Sequence, residues 1–211
     1  MVKRLLIVAA VLVALCVAAD IGARAYAEHR LSSRLQSSLR LSRSPEVGLG
    51  GFPFLTHALA GHLPDVEVSD SGFTSHGWSF SSASIRLRDI RFSPTGLLSG
   101  SSPDLRAAGG SGSVAVSGSS LTRMVRSRVP GVSVTLSSGR AMVSVPQHPQ
   151  PVPVNVRLDG QRLTISADGV PLPPVTLTIP RLLASLRYTD AGVEGSLLVI
   201  AFSVQGGTIP T

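Results

Sequence analysis

Catalysis and metal binding need particular side chains at particular spacings, and this chain supplies few of either. Its 211 residues include five histidines, twelve carboxylates and one cysteine. His57 and His62 stand five apart, so on one helix their rings diverge, unlike the i, i+4 pair that grips zinc. His29, His76 and His148 stand alone. Asp65, Glu67 and Asp70 crowd one extended stretch. Their plain reading is a solvated strand face, and their sharper one an acid/base pair. There is no G-x-S-x-G elbow to expose a serine nucleophile, no G-x-x-x-x-G-K-S/T loop to cradle phosphate and no H-E-x-x-H helix. Gly48, Gly50 and Gly51 do not make a dinucleotide fingerprint, because Pro53 follows them and no strand is read before them. The residues point to no catalytic group, no metal site and no cofactor. An enzyme would need a site assembled from distant positions.

The elements that must position any site begin with an unbroken apolar run, Leu5 to Ala19, behind Lys3 and Arg4. Its length suits the core of a signal peptide and is short for a spanning helix, which needs about 20 residues. Val17-Ala18-Ala19 and Ala23-Arg24-Ala25 are small-x-small sites for signal peptidase. Alternatively, Ile21 extends the run past Asp20 into a retained anchor. Leu15 stands where a lipobox needs a small residue, which argues against lipidation of Cys16. Both readings make the chain exported, with residues 1–25 a signal peptide or membrane anchor. Residues 26–211 then form one domain without cysteine, and hence without a disulfide.

Residues 20–41 read as a helix capped by Asp20, with Ile21, Ala25, Glu28, Leu31, Leu35 and Leu39 along one stripe. Pro45 and three glycines break it. GGFPFLTHALAGHL (50–63) then reads as a short amphipathic helix. Pro53 fits its first turn, Phe52 precedes it as a staple, and Phe54, Leu55, Ala58, Leu59 and Leu63 share its apolar face. Gly61 and Pro64 end it. The plain expectation is that this face packs on a sheet; the alternative is that it meets lipid.

Strand patterns dominate from Asp65 onward. Trp78 and Phe80 share one parity, Ile85 and Leu87 take the other, and Ile90 and Phe92 switch again, the mark of a β-bulge near Arg88-Asp89. Residues 96–112 read as a Ser/Gly/Pro-rich loop, after which Ser119 or Ser120 caps a helix bearing Leu121, Met124 and Val125. Hairpins are expected at Ser137-Ser138-Gly139 and at Asp159-Gly160. A helical turn is expected after Pro180, a turn at Asp190-Ala191-Gly192, and a last strand from Val193 to Val204. Early helices with many two-faced strands make an α+β domain rather than a βαβ fold.

Composition narrows the partners. Hydrophobic residues make up 43% of the chain, charged ones 15%, and the net charge is +7. A positive balance favours anionic partners, lipid head groups or nucleic acid. Scattered arginines, with no basic run and no interleaved aromatics, argue against nucleic acid. Apolar strand faces, a bulged strand and amphipathic helices suit an elongated apolar groove, and a solid core produces the same pattern.

GFPFLTHALAGHLPDVEVS, after an Asp-containing helix and followed by SIRLRDIRFSP, resembles the LmeA-like phospholipid-binding family of actinobacteria. The resemblance covers most of residues 20–204 and is sharpest around Gly51–Leu63. It implies a protein of the cell envelope or periplasm that binds anionic phospholipid at a membrane surface and supports lipoglycan elongation. The implied fold is similar to tubular lipid-binding (TULIP-like, BPI-like) domains, a curved antiparallel sheet around a long N-terminal helix. Phe52, Phe54, Leu55, Leu59, Trp78, Phe80, Ile90 and Phe92 would then line the acyl groove, with Arg86, Arg88 and Arg91 at its mouth for the head group. The alternative is an envelope scaffold whose apolar faces pack only on themselves. The chain departs from the family pattern in the 96–112 loop and in Pro-rich joints at 146–153 and 171–174.

Overall fold

The computed structural model describes residues 2–39, 41, 43–94, 105–146, 148–167, 173–180 and 185–209. Helix α1 spans Val2–Leu39 without a break. The helix start expected at Asp20 is absent, because no proline lies between the apolar run and the amphipathic segment and the lone Gly22 costs only about 1 kcal/mol. Strand β1 (Glu46–Leu49) follows, so a strand that contains Gly48 does lead into Gly50 and Gly51, contrary to expectation. Its four residues are too few for an alternating pattern to register.

Helix α2 covers only Phe54–Leu59, shorter than the apolar spacing suggested. Gly61, at φ +69, turns the chain into β2 (His62–Asp70). A Cβ there would lie 2.4 Å from the Phe92 carbonyl oxygen, so only glycine fits. Strands β3 (Phe73–Ser75), β4 (Trp78–Phe80) and β5 (Ser82–Arg91) come next. Within β5, Asp89 adopts φ +50 and the inward parity passes from Leu87 to Ile90, the change of face expected at Arg88-Asp89.

Strand β6 (Leu105–Ser117) occupies the second half of the stretch expected to be a loop; residues 96–104 of that stretch lie outside the described residues. Helix α3 (Gly118–Arg126) is capped by Ser117, earlier than expected, whose hydroxyl accepts from the Ser120 N–H at 3.3 Å. Strands β7 (Ser133–Ser137), β8 (Arg140–Val145), β9 (His148–Asp159), β10 (Arg162–Ala167) and β11 (Val175–Thr178) form an antiparallel sheet in the order β11-β10-β9-β8-β7. Both expected hairpins are present, with Ser137 opposite Arg140 and Asp159 opposite Arg162. The supposed joint at 146–153 is largely strand. Pro149, Pro151 and Pro153 alternate along β9, which removes N–H donors from one and the same edge.

Strands β12 (Leu186–Glu194) and β13 (Leu197–Ile209) close the chain. The turn expected at 190–192 is instead paired strand within β12, just after a register shift between Tyr188 and Asp190, and the reversal comes at Gly195, φ +59. Of the helical turn expected after Pro180, residues 181–184 lie outside the described residues, and Leu186 already belongs to a strand. The largest sheet has the order β1-β2-β5-β6-β13-β12. The fold is α+β, a long N-terminal helix with a large antiparallel sheet.

Two compact units divide the chain. The first comprises Met1–Val68, Arg86–Gly109 and Gly206–Thr211. Its core is Leu49, Phe54, Val66, Ile90 and Ala107, with Ala23, Ala27 and Leu31 of α1 packed against it. The second comprises Ser69–Ile85 and Gly110–Gln205. It buries Trp78, Phe80, Leu121, Leu163, Leu198 and Ile200.

Candidate functional site

Within the first unit, α1 builds the setting of α2. Asp20 is only 5% exposed. Its Oδ2 accepts from the Phe54 N–H at 2.9 Å and its Oδ1 from the Leu55 N–H at 2.7 Å. These are orphan donors of α2's first turn, and Pro53 at the N-cap position has no side-chain acceptor to offer them. Eight residues further along α1, Glu28 Oε1 accepts from the Leu49 N–H and from Arg24 Nε, both at 2.9 Å. Two carboxylates of one helix thereby fix the end of β1 and the start of α2. From sequence, Asp20 looks like the cap of its own helix. The one local signal of its real role is that the Gly-Phe-Pro entry to α2 carries no cap of its own.

The eight apolar positions expected to line a groove fall into different settings. Phe54, 6% exposed, and Ile90 belong to the first unit's core. Trp78 and Phe80 belong to the second, stacked with ring centroids 5.9 Å apart, and Trp78 Nε1 donates to the Thr178 carbonyl at 3.0 Å. Phe92 is half-buried. Phe52, Leu55 and Leu59 are exposed at 68%, 37% and 78%. Phe52 flanks α2 while Leu55 and Leu59 ride on it, so these three share one short stretch of surface.

The three arginines expected at a head group differ in their commitments. Arg86 donates through Nη2 to Glu67 Oε2, and its Nε lies 3.5 Å from Asp65 Oδ2. The hydrogen-bonded Glu67 carboxylate pushes the guanidinium pKa up further still. Asp65 and Glu67 thus share Arg86, which offsets one of their two negative charges. Arg91 Nη2 lies 3.5 Å from Asp89 Oδ2. Arg88 is exposed and, among the described residues, forms no ion pair.

His57 and His62 are not kept apart as their spacing suggested. Because α2 stops at Leu59, His62 sits on β2 and its ring meets that of His57 edge-on, 5.8 Å between centroids. His62 Nε2 also lies 2.7 Å from Asp89 Oδ1. No cluster of three or more metal-ligating side chains occurs among the described residues.

In the second unit, a cavity of about 20 Å³ lies among Val125, Val129, Val134, Val143, Ile165 and Val175. A void of that size admits a water-sized group and no acyl chain.

A family model described as LmeA-like phospholipid-binding matches residues 18–201, a span that begins just before Asp20 and includes α2 and nearly all the strands. No curated protein and no solved structure matches the chain. The matched family is defined by lipid binding and is not a known enzyme family. With most of its length inside that match, the chain belongs to the LmeA-like phospholipid-binding family.

Proposed function

We propose that this is a non-enzymatic protein of the cell envelope, exported and held at a membrane surface by its N-terminal segment. It takes up anionic phospholipid in an apolar groove and supports the assembly of envelope lipid or lipoglycan. The family match over residues 18–201 carries this reading. Export and attachment draw support from α1, whose best 18-residue window has a mean hydropathy of 2.7 and is only 6% buried. The preference for anionic lipid draws support from the net charge of +7. Each acyl CH₂ withdrawn from water contributes about 0.8 kcal/mol, so partial enclosure of a chain suffices for useful affinity.

Native mass spectrometry with lipid extraction, on the full chain purified from membranes, tests the proposal. A stoichiometric phospholipid that survives release from detergent is the expected result, and its head group names the ligand class. A clean apo mass, with no uptake from phosphatidylglycerol vesicles, would favour a scaffold instead. The close packing of Trp78 and Phe80 and the 20 Å³ cavity are the observations that such an outcome would bring forward.

A further inference from the structure

We propose that α2 is a membrane wedge: Phe52, Leu55 and Leu59 enter the lipid interface beside α1, and Asp20 holds them at that depth. The inference rests on reading the start of α1 as a retained membrane anchor. At about 1.5 Å per residue, the run from Leu5 to Ala19 is roughly 22 Å long, short of a hydrocarbon layer about 30 Å thick. An anchor that spans the layer therefore reaches past Asp20 to the neighbourhood of Arg24, the next charged residue. A bare carboxylate at Asp20 would then face lipid, which is costly.

It is not bare. Asp20 is 5% exposed, and each of its carboxylate oxygens is occupied by a backbone N–H of α2. The group that shields this carboxylate is α2, so α2 lies at the depth of the last turn of the span. What α2 and its flank turn outward there is mostly apolar, with Phe52 at 68%, Leu55 at 37% and Leu59 at 78% exposure, and Thr56 is the exposed polar side chain among them. From Phe52 through Ala60 the chain contains no Asp, Glu, Lys or Arg, so α2 and its flanks enter an interface without carrying a fixed charge of their own, while His62 on β2 keeps its contact with Asp89. Arg24 follows about 6 Å further along the axis, at the level where lipid phosphates would receive it. Continuity with the apolar run of α1 selects a bilayer as the occupant of this surface.

The test uses nitroxide labels in the full-length chain, with Cys16→Ser removing the native thiol. Labels are placed singly at Leu12→Cys, Leu59→Cys and Ser38→Cys, and the protein is reconstituted into vesicles of phosphatidylglycerol and phosphatidylcholine. Power saturation with oxygen against an aqueous nickel chelate reads the depth of each. The expected result places Leu12 in hydrocarbon and Leu59 in the interface, with an oxygen-to-nickel ratio several-fold above that of Ser38. Introducing Asp20→Ala should return the Leu59 label toward the Ser38 value and leave Leu12 unmoved. If Leu12 is in hydrocarbon while Leu59 matches Ser38, the wedge is overturned and the anchor stands. If Leu12 stays in water, anchor and wedge fall together. If Asp20→Ala leaves the Leu59 label at depth, its role in positioning the wedge is refuted.

Discussion

A carboxylate contributes most where backbone donors have no other acceptor, and Asp20 serves two such donors at once. Asp20→Ala is expected to destabilise the protein by about 1–3 kcal/mol in urea unfolding. Asp20→Asn keeps one oxygen acceptor and should lose less. A loss below about 0.5 kcal/mol for the alanine variant would mean that packing alone holds α2 in place. Tyr188 offers a second residue-level test. Its hydroxyl donates to the Pro180 carbonyl at 2.7 Å, and burial pushes its pKa up to about 12. Burial favours the neutral phenol, so the unfolded chain ionises first, near pH 10. Tyr188 should therefore leave stability unchanged below about pH 10 and erode it as pH rises from there toward 12. The chain has two tyrosines, so tyrosinate absorbance in a Tyr26→Phe background isolates Tyr188. A midpoint near 10 would contradict the burial.

Glycine behaves differently from one strand to another, and the difference explains why the glycine-rich sequence of β6 reads as loop yet forms a strand. A Cβ at Gly112 would lie 2.3 Å from the Ser84 carbonyl oxygen and 2.5 Å from the Phe202 ring. Glycine is there for close approach of backbone and ring, not for flexibility. Gly112→Ala is expected to cost more than about 1–3 kcal/mol, the usual range for overpacking. Gly207 in β13 meets nothing within 4 Å, so Gly207→Ala should stay within about 0.5 kcal/mol of the parent. Equal effects at the two positions, measured by thermal unfolding, would remove the packing explanation. Proline composition likewise suggests a joint at 146–153, whereas from His148 onward this stretch is β9, whose prolines keep one edge from pairing.

For the whole molecule, the question is how much of α1 the mature protein keeps. Cleavage after Ala19 leaves Asp20 in place, whereas cleavage after Ala25 removes the acceptor for both α2 amides. The N-terminus of the protein isolated from cells, read by intact mass, is expected to include Asp20. A chain beginning at Tyr26 should unfold at a lower temperature than one beginning at Asp20, by at least the equivalent of the Asp20→Ala loss, because Ala23, packed against the core, and Arg24, the partner of Glu28, are removed as well. Equal melting temperatures would show that the cap is dispensable.

Patterns that repeat along the chain were legible without any structure. The α+β class, both hairpins, the change of face at Asp89 and the apolar first segment follow from two- and four-residue periodicities and from turn residues, which are local properties. So is the GFPFLTHALAGHL stretch that carries the family resemblance. The positions of Asp20 against Phe54, His62 against His57 and Gly112 against Phe202 were not legible, because each depends on where distant backbone returns in space. The same holds for the apolar residues proposed to touch lipid. Phe52, Phe54, Leu55 and Leu59 are chemically alike in sequence. Only the tertiary structure decided that Phe54 fills a core while the other three face outward, since a helix six residues long shows its two faces only once something is packed against one of them.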